Sequence, residues 1–268
     1  MRTLRPEEEW ARQHVEHALG VPVRQHDDGS ADGMHDLDIV YSDRPSAAVE
    51  VTAAADGESI AAWKQLNGNG RWIEPTLKGG WSVTVDPAAR TKRIKKELPD
   101  LLGILEGLDL ELDDDEYEYH RRGLQAPLSR HAADLGVVRA NRYGTAFPGS
   151  IYVTLELPPE RTGGFVADTG DALATWIGPF LKDEDHADVR LKLHRAGAAE
   201  RHAFVLFPTF ATAPFGVTDL LMRQDGPLPT VAPGLPAEAT HVWALGGWSS
   251  GRGMRWAPGS GWSYFDKL

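Results

Sequence analysis

The sequence predicts a mixed fold of the α/β or α+β class. Short apolar stretches rich in β-branched residues, such as "AAVEVTAA" at 47–54 and "RHAFVLF" at 201–207, are typical of buried strands. Longer stretches with helical spacing, such as "ARTKRIKKELPDLLGILEG" at 89–107, lie between them. The chain has 268 residues, of which 41% are hydrophobic and 25% charged. This is a globular composition, and the length suits one elaborated domain or two small ones.

Charge and composition exclude several classes of function. The net charge of −11 argues against binding long duplex nucleic acid through a generally basic surface. The absence of cysteine excludes disulfides, cysteine nucleophiles and thiolate metal sites. The N-terminal stretch lacks the apolar core of a signal peptide, and no stretch approaches the ~20 apolar residues of a membrane span. We therefore expect a cytoplasmic protein with no membrane partner.

The first half is predicted to run helix, strand, strand, strand, helix, strand. Residues 6–20 form the first helix, with Pro6 in its first turn and Gly20 at its end. A loop at 24–35 precedes strands at 37–41 and 47–54, which are joined by the turn "SDRPS". A short helix at 59–68, a strand at 80–86 and a long helix at 89–107 follow, and Pro99 is expected to kink that long helix.

The second half is predicted to contain more strand. The charged run at 111–122 is interpreted as a solvated connector. Strands at 136–143 and 150–157 are expected to pair around "GTAFPG", and helices are expected at 168–181 and 183–197. Buried strands at 201–207 and 240–247 precede a closing strand pair at 255–266. We predict a core domain at 1–160 and an α+β region at 161–268, which either forms its own domain or belongs to the first.

Three acids occupy the hairpin "DLDIVYSDRPSAAVEVT" at 36–52. If the turn is centred near Arg44, Asp38 lies opposite Glu50, Asp36 lies opposite Thr52, and all of them share one face. Opposed like charges are destabilising unless a positive group lies between them. Mg²⁺ or Mn²⁺ would fill that role, with Asp36, Asp38 and Glu50 as the candidate ligands. The alternative is a hairpin whose acids face solvent.

These elements resemble the PD-(D/E)XK nuclease superfamily, which has the restriction-endonuclease-like fold. The resemblance rests on the order of elements over roughly residues 7–142, on "DIV" at Asp38 and on "VEVT" at Glu50. The stretch "DGMHD" also resembles the Asp-Gly-Gly-x-Asp form of Mrr-like members, which would favour Asp36. The resemblance implies a mixed-sheet core flanked by helices, followed here by a strand-rich extension. It also implies metal-dependent hydrolysis of DNA or RNA.

The chain departs from the family pattern at the lysine two residues after the Glu. That position holds Thr52, and Lys64 in the next predicted helix is the candidate replacement. The resemblance therefore implies Asp38, Glu50 and Lys64 as catalytic residues. Glu8, Glu9 or Glu16 on the first helix would supply a further acid, as in some branches of the family. Alternatively, Lys64 is a solvated helix residue and the site has lost catalysis.

Two further features have both a functional and a structural interpretation. The basic cluster "RTKRIKK" at 90–96 could contact phosphates, or it is the exposed face of an amphipathic helix. Trp243, Trp248, Trp256 and Trp262 could stack on bases or sugars, or they fill the core. The stretches at 195–207 and 235–247 also resemble actinobacterial proteins to which no activity is assigned, which implies a lineage and nothing about activity.

Three functions remain open from the sequence, the third of which is an unrelated α+β enzyme that acts on a small molecule. The first is a metal-dependent nuclease, or a diverged descendant, that acts on short, structured or single-stranded nucleic acid. The second is a non-catalytic module that keeps the nuclease fold and binds a protein or another partner.

Overall fold

The computed structural model describes residues 2–68, 72–112, 126–164, 166–248 and 250–268, which form a mixed α and β structure. The chain divides into two compact units, one of residues 1–55 with 159–268 and one of residues 56–158. This division differs from the predicted boundary after residue 160, because the start and the end of the chain share one unit. Residues 113–122 of the predicted charged connector lie outside the described residues.

The helices and strands are numbered in chain order. The helices are α1 (Pro6–Leu19), α2 (Gly57–Asn67), α3 (Thr91–Leu108), α4 (Ala126–Leu135), α5 (Pro159–Thr162), α6 (Asp171–Lys182), α7 (Ala187–Ala196) and α8 (Phe215–Met222). The strands are β1 (Val23–Gln25), β2 (Leu37–Ile39), β3 (Ala47–Ala53), β4 (Trp72–Ile73), β5 (Trp81–Val85), β6 (Val137–Arg142), β7 (Ser150–Leu155), β8 (Arg201–Phe207), β9 (His241–Gly246), β10 (Gly253–Ala257) and β11 (Gly261–Phe265).

The first unit contains a seven-stranded mixed sheet in the order β1-β2-β3-β8-β9-β10-β11. Strands β1, β2 and β3 form an antiparallel meander, and β3, β8 and β9 run parallel. Strands β10 and β11 complete the sheet as the predicted closing hairpin. The strand β1 was not predicted, since residues 24–35 were expected to be a loop.

Alternate residues along the strands of this sheet belong to two different apolar clusters, one on each face. On one face, Val49 and Val51 of β3 belong to a cluster that includes Ala11 and Val15 of α1. On the other face, Ala48 and Ala54 belong to a cluster with residues of α6, α7 and α8. Glu50 lies two residues after Ala48 on β3, so its side chain leaves the strand on the same face, which α6, α7 and α8 cover.

The four C-terminal tryptophans pack in these clusters, which confirms the structural interpretation. Trp243 is buried among the residues on the α1 face. Trp248, Trp256 and Trp262 pack, partly buried, against the cluster on the α6–α8 face.

The second unit contains a four-stranded sheet in the order β4-β7-β5-β6. The predicted strands at 136–143 and 150–157 both form, but their predicted pairing is wrong. Strand β5 lies between them, antiparallel to β6 and parallel to β7. The strand and the long helix that the sequence suggested for the nuclease-like core, β5 and α3, therefore belong to this unit.

The helix α3 continues through Pro99 without the interruption that the sequence suggested. A proline removes one intrahelical hydrogen bond, but burial of an apolar face offsets that loss. Leu98, Leu101, Leu102 and Leu105 on this helix are all buried. The basic residues Lys92, Arg93, Lys95 and Lys96 lie on its exposed face. No helix in the described ranges is long and apolar enough to cross a membrane.

Asn67 completes the edge of strand β7 where β4 ends. Strand β4 pairs with β7 only at Ile151 and Ser150. Beyond that point, the buried Asn67 carboxamide accepts a hydrogen bond from Val153 N–H at 2.9 Å and donates one to Val153 C=O at 2.8 Å. One side chain therefore satisfies both backbone groups of a buried strand residue.

We expect Asn67→Ala to lower the free energy of unfolding by about 2–3 kcal/mol, since two buried backbone groups lose their partners. Urea denaturation measures the change. The control is Gln65→Ala in the same helix. The exposed Gln65 side chain accepts a hydrogen bond from Thr91 Oγ1, and its loss should change stability by less than about 0.5 kcal/mol. Equal effects of the two substitutions would contradict the role of Asn67.

Candidate functional site

The hairpin register pairs Glu50 with Asp36 and not with Asp38. Leu37 lies opposite Val49, and Asp38 lies opposite Ala48. The predicted register is therefore wrong by two residues, because the turn is centred on Asp43 and not on Arg44. Pro45 has no N–H to donate to the neighbouring strand. The side chains of Tyr41 and Arg44 hold the turn in place by donating hydrogen bonds to the carboxylate of Glu200.

Asp36 and Glu50 form a buried carboxylate pair. The exposed fraction is 0% for Asp36 and 2% for Glu50. Asp36 N–H donates to Glu50 Oε2 at 3.2 Å, and Val51 N–H donates to Asp36 Oδ2 at 2.9 Å. These bonds fix both carboxylates at the point where β2 begins beside β3.

Lys192 on α7 extends to this pair. Its Nζ donates to Glu50 Oε1 at 2.6 Å, and its side chain remains 22% exposed. The neighbouring residues Val189 and Leu193 are buried against the sheet, which orients this face of α7 towards β3. The site therefore consists of two buried carboxylates and one lysine whose side chain is partly exposed.

The start of α1 adds a further charged group. Glu8 is buried, and its carboxylate accepts hydrogen bonds from Arg2 and from the backbone and side chain of Arg5. Arg5 Nη2 lies 3.8 Å from Asp36 Oδ1, which has no hydrogen-bond partner among the described residues. Of the three acids suggested on the first helix, Glu8 is therefore the one at the carboxylate pair. The other two, Glu9 and Glu16, pair with Arg12.

The site retains a proton more strongly than isolated carboxyl groups would. Burial raises the pKa of Glu50 to about 8, the charge of Asp36 adds to the rise, and Lys192 opposes it. Burial also raises the pKa of Asp36, against the hydrogen bond from Val51 and the charge of Lys192. Burial lowers the pKa of Lys192, but its hydrogen bond and attraction to Glu50 outweigh this and leave the pKa raised. The ammonium form of Lys192 is therefore favoured beside a carboxylate pair that holds a proton near neutral pH.

Asp38 belongs to a different cluster. Its Oδ1 lies 2.7 Å from His35 Nε2, and its Oδ2 lies 2.8 Å from His26 Nδ1. Burial opposes ionisation of Asp38, but the hydrogen bonds from His35 and His26 prevail and lower its pKa. The structure thus separates Asp38 from Glu50, the residue that the predicted register placed opposite it.

Lys64 lies in the second unit, on the exposed face of α2. Thr52 lies on β3, two residues after Glu50 on the same face, and is half-buried. The sequence pointed to Asp36 through "DGMHD", but no motif in it pointed to Lys192. The only available signal was its place in the predicted helix directly before the strand that becomes β8, because such a helix packs on the sheet it connects.

Comparisons with models of protein families, with curated proteins and with solved structures give no match to this chain.

The raised pKa of Glu50 predicts that the free energy of unfolding depends on pH. A carboxyl group whose pKa is higher in the folded protein stabilises the fold at low pH and loses this contribution as the pH rises. With a chelator present, the free energy of unfolding should therefore fall between about pH 4.5 and pH 8. The slope approaches about 1.4 kcal/mol per pH unit for one proton.

Urea denaturation across this pH range should give a smaller slope for Glu50→Gln than for the parent protein. The exposed Glu160→Gln variant is the matched control and should keep the parental slope. A parental slope in Glu50→Gln would mean that Glu50 is already ionised in the folded protein.

Proposed function

We propose that this protein is a metal-dependent nuclease in which Asp36 and Glu50 bind Mg²⁺ or Mn²⁺ beside Lys192. The observation that carries the proposal is the buried Asp36–Glu50 pair with the Lys192 ammonium 2.6 Å from Glu50. Phosphodiester hydrolysis needs an anchor for a divalent cation and a positive group for the charge that develops on phosphate. The site offers both within one cluster.

The donor set fits a hard divalent cation. Mg²⁺ and Mn²⁺ prefer carboxylate oxygens, and Mg²⁺ binds to one or two of them while keeping waters and substrate oxygens as further ligands. Asp36 Oδ1 is buried without a hydrogen-bond partner in the described residues, as expected of an atom whose partner is an ion. When bound, the ion would polarise the phosphodiester and make its bound water more acidic.

Lys192 would take the role of the lysine that Thr52 replaces. In the resting protein its ammonium donates a hydrogen bond to Glu50, and with substrate it would donate to a phosphate oxygen and stabilise the added negative charge. Arg5, close to Asp36 and more than half exposed, would assist in holding the substrate. The attacking water forms the new P–O bond as the bond to the leaving oxygen breaks.

The order of elements in the first unit supports the nuclease resemblance. The unit contains a helix, three antiparallel strands, connecting helices and a strand parallel to the third. The sequence predicted this order for a different set of segments, of which the strand at 80–86, the helix at 89–107 and the strand at 136–143 belong to the second unit. The third strand is β3, and α6 and α7 make the connection after residues 56–158.

A cavity at the end of β3 favours a short or single-stranded substrate. It has a volume of about 450 Å³ and is lined by residues that include Trp176, Phe180, Asp183 and Asp185. The rings of Trp176 and Phe180 stack, with their centroids 4.6 Å apart, and offer an aromatic surface to an unpaired base. The two aspartates and the net charge of −11 would repel a long phosphate backbone.

One observation favours the alternative of a binding module without catalysis. Lys192 already donates a hydrogen bond to Glu50, so this contact occupies the site without a metal. A diverged nuclease that had lost its ion would keep such a pair to avoid a buried uncompensated charge. Cleavage by the purified protein distinguishes the two functions.

We expect the parent protein to cleave labelled single-stranded DNA, RNA or short duplexes with Mg²⁺ or Mn²⁺, and not with a chelator. Asp36→Asn and Glu50→Gln should abolish cleavage through loss of the ion. Lys192→Met should reduce the rate at least about 100-fold, the effect of removing one group that stabilises transition-state charge. Gel analysis of the products measures each rate.

The control is Lys64→Met, which removes an exposed lysine from the second unit and should cleave at the parental rate. Loss of activity in Lys64→Met but not in Lys192→Met would restore Lys64 as the catalytic lysine. If no substrate is cleaved by the parent protein, the binding module is the correct function. Cleavage that persists equally in Asp36→Asn and Glu50→Gln would exclude this site.

The double variant Lys192→Met with Thr52→Lys should recover part of the lost rate. Position 52 lies on the Glu50 face of β3, so a lysine there places its ammonium near the same carboxylate. Recovery measured in the same assay would show that Lys192 acts through its charge at this site. If Thr52→Lys alone is active and well folded but the double variant stays inactive, Lys192 has a role that position 52 cannot replace.

A further inference from the structure

Two imidazoles converge on Asp38 in the first unit. His26 Nδ1 and His35 Nε2 each contact a different oxygen of its carboxylate, at 2.8 and 2.7 Å. The two rings stack with their centroids 3.7 Å apart and an interplanar angle of 13°. One ligand atom from each residue lies within 4.8 Å of the others. Three groups that bind metals therefore face one another.

The backbone fixes this cluster in place. His26 N–H donates to Asp36 C=O at 2.9 Å, and Asp27 N–H donates to the same oxygen at 3.3 Å. His35 is buried, whereas His26 and Asp38 are about one-third exposed. Asp38 is anchored in strand β2. The cluster is therefore built on a strand and two tethered segments, with one side open to solvent.

We propose that His26, His35 and Asp38 bind a transition-metal ion, with Zn²⁺ as the best match. Two imidazoles and one carboxylate are a ligand set that Zn²⁺ uses in sites with an open position for water. The set differs from the Asp36–Glu50 pair, whose oxygen ligands prefer Mg²⁺ or Mn²⁺. This site does not depend on the proposed nuclease activity.

Binding requires a change of tautomer and a rotation of at least one ring out of the stack, because a metal–imidazole bond lies in the ring plane and two parallel stacked rings cannot both direct a lone pair at one ion. In the metal-free cluster, the facing ring nitrogens carry the protons that they donate to Asp38. On binding, each proton moves to the opposite ring nitrogen, so the imidazoles stay neutral and present their lone pairs. Two nitrogens bound to Zn²⁺ at about 2.0–2.1 Å in tetrahedral geometry lie about 3.4 Å apart. The ligand atoms now lie within 4.8 Å of one another, so they have to approach by at most about 1.5 Å.

A second His/Glu cluster in the same unit lacks this capacity. Glu200, His202 and His241 also lie within 4.8 Å of one another. Trp243 Nε1–H donates to His202 Nδ1 at 3.0 Å, which keeps the ring proton on Nε2, the nitrogen that faces Glu200 at 3.6 Å. His202 therefore has no free lone pair for an ion, and we assign no metal to this cluster.

The test is a titration of the chelator-treated protein, free of any histidine tag, with Co²⁺ and Zn²⁺. Co²⁺ binding is followed by visible absorption and Zn²⁺ binding by equilibrium dialysis. The parent protein should bind one equivalent at this site, and His26→Gln should bind it at least about tenfold more weakly, since even loss of an outer-shell partner costs 10–100-fold. The control His17→Gln removes an exposed histidine of α1 and should bind like the parent.

Glu50→Gln separates this site from the nuclease proposal. It should keep the Zn²⁺ affinity even if it abolishes cleavage, and Zn²⁺ binding lost in Glu50→Gln but retained in His26→Gln would overturn the inference. X-ray absorption of the Zn²⁺-loaded parent needs no variant. A first shell with two imidazole nitrogens at about 2.0–2.1 Å supports the site, and a shell of oxygen alone, or no bound Zn²⁺, excludes it.

Discussion

Six residues of β3, from Ala48 to Ala53, pair in parallel with residues 201–206 of β8. This pairing joins segments that lie about 150 positions apart, and the candidate site depends on it. A parallel pair needs a long connection that returns across a face of the sheet. Here α6 and α7 make that return and pack on the face where Glu50 starts. Lys192 consequently meets Glu50, although 141 residues separate them in the chain, among them the whole second unit.

The charge balance of the site argues for function more than for stability. Two carboxylates with almost no exposed area are costly to desolvate, and one lysine and a few N–H donors compensate only in part. The raised pKa of Glu50 expresses the remaining cost. Apolar residues of similar size would often be at least as stable in such a place. A divalent cation would supply the charge that the protein lacks, and a perturbed carboxyl group beside a partly exposed lysine is typical of a functional site.

The sequence was sufficient for the class of the fold and for most of its strands, because these follow from local periodicity. The sequence did not predict which segments distant in the chain pair or pack with one another. Strand β5 lies between β6 and β7, although these two are consecutive in the described chain. The register of the acidic hairpin depends on which residue lies at the centre of the turn. Placing that centre one residue too late predicted that Asp38 lies opposite Glu50, where the structure has Asp36. Lys192 could not be identified, because its role arises only from the packing of α7 on β3.

Asp36 and Asp38 show why residue type and spacing alone did not assign the ligands. They lie two positions apart and share a strand face, yet burial beside Glu50 raises the pKa of Asp36, whereas two imidazoles lower that of Asp38. A carboxylate set without nitrogen ligands selects hard cations, and a carboxylate with two imidazoles selects Zn²⁺ and its neighbours. The backbone carbonyl of Asp36 accepts hydrogen bonds from His26 and Asp27, so Asp36 belongs to the carboxylate pair and also holds the segment that carries His26. Two sites with different metal preferences on one strand would allow two ions to bind without competing for the same ligands.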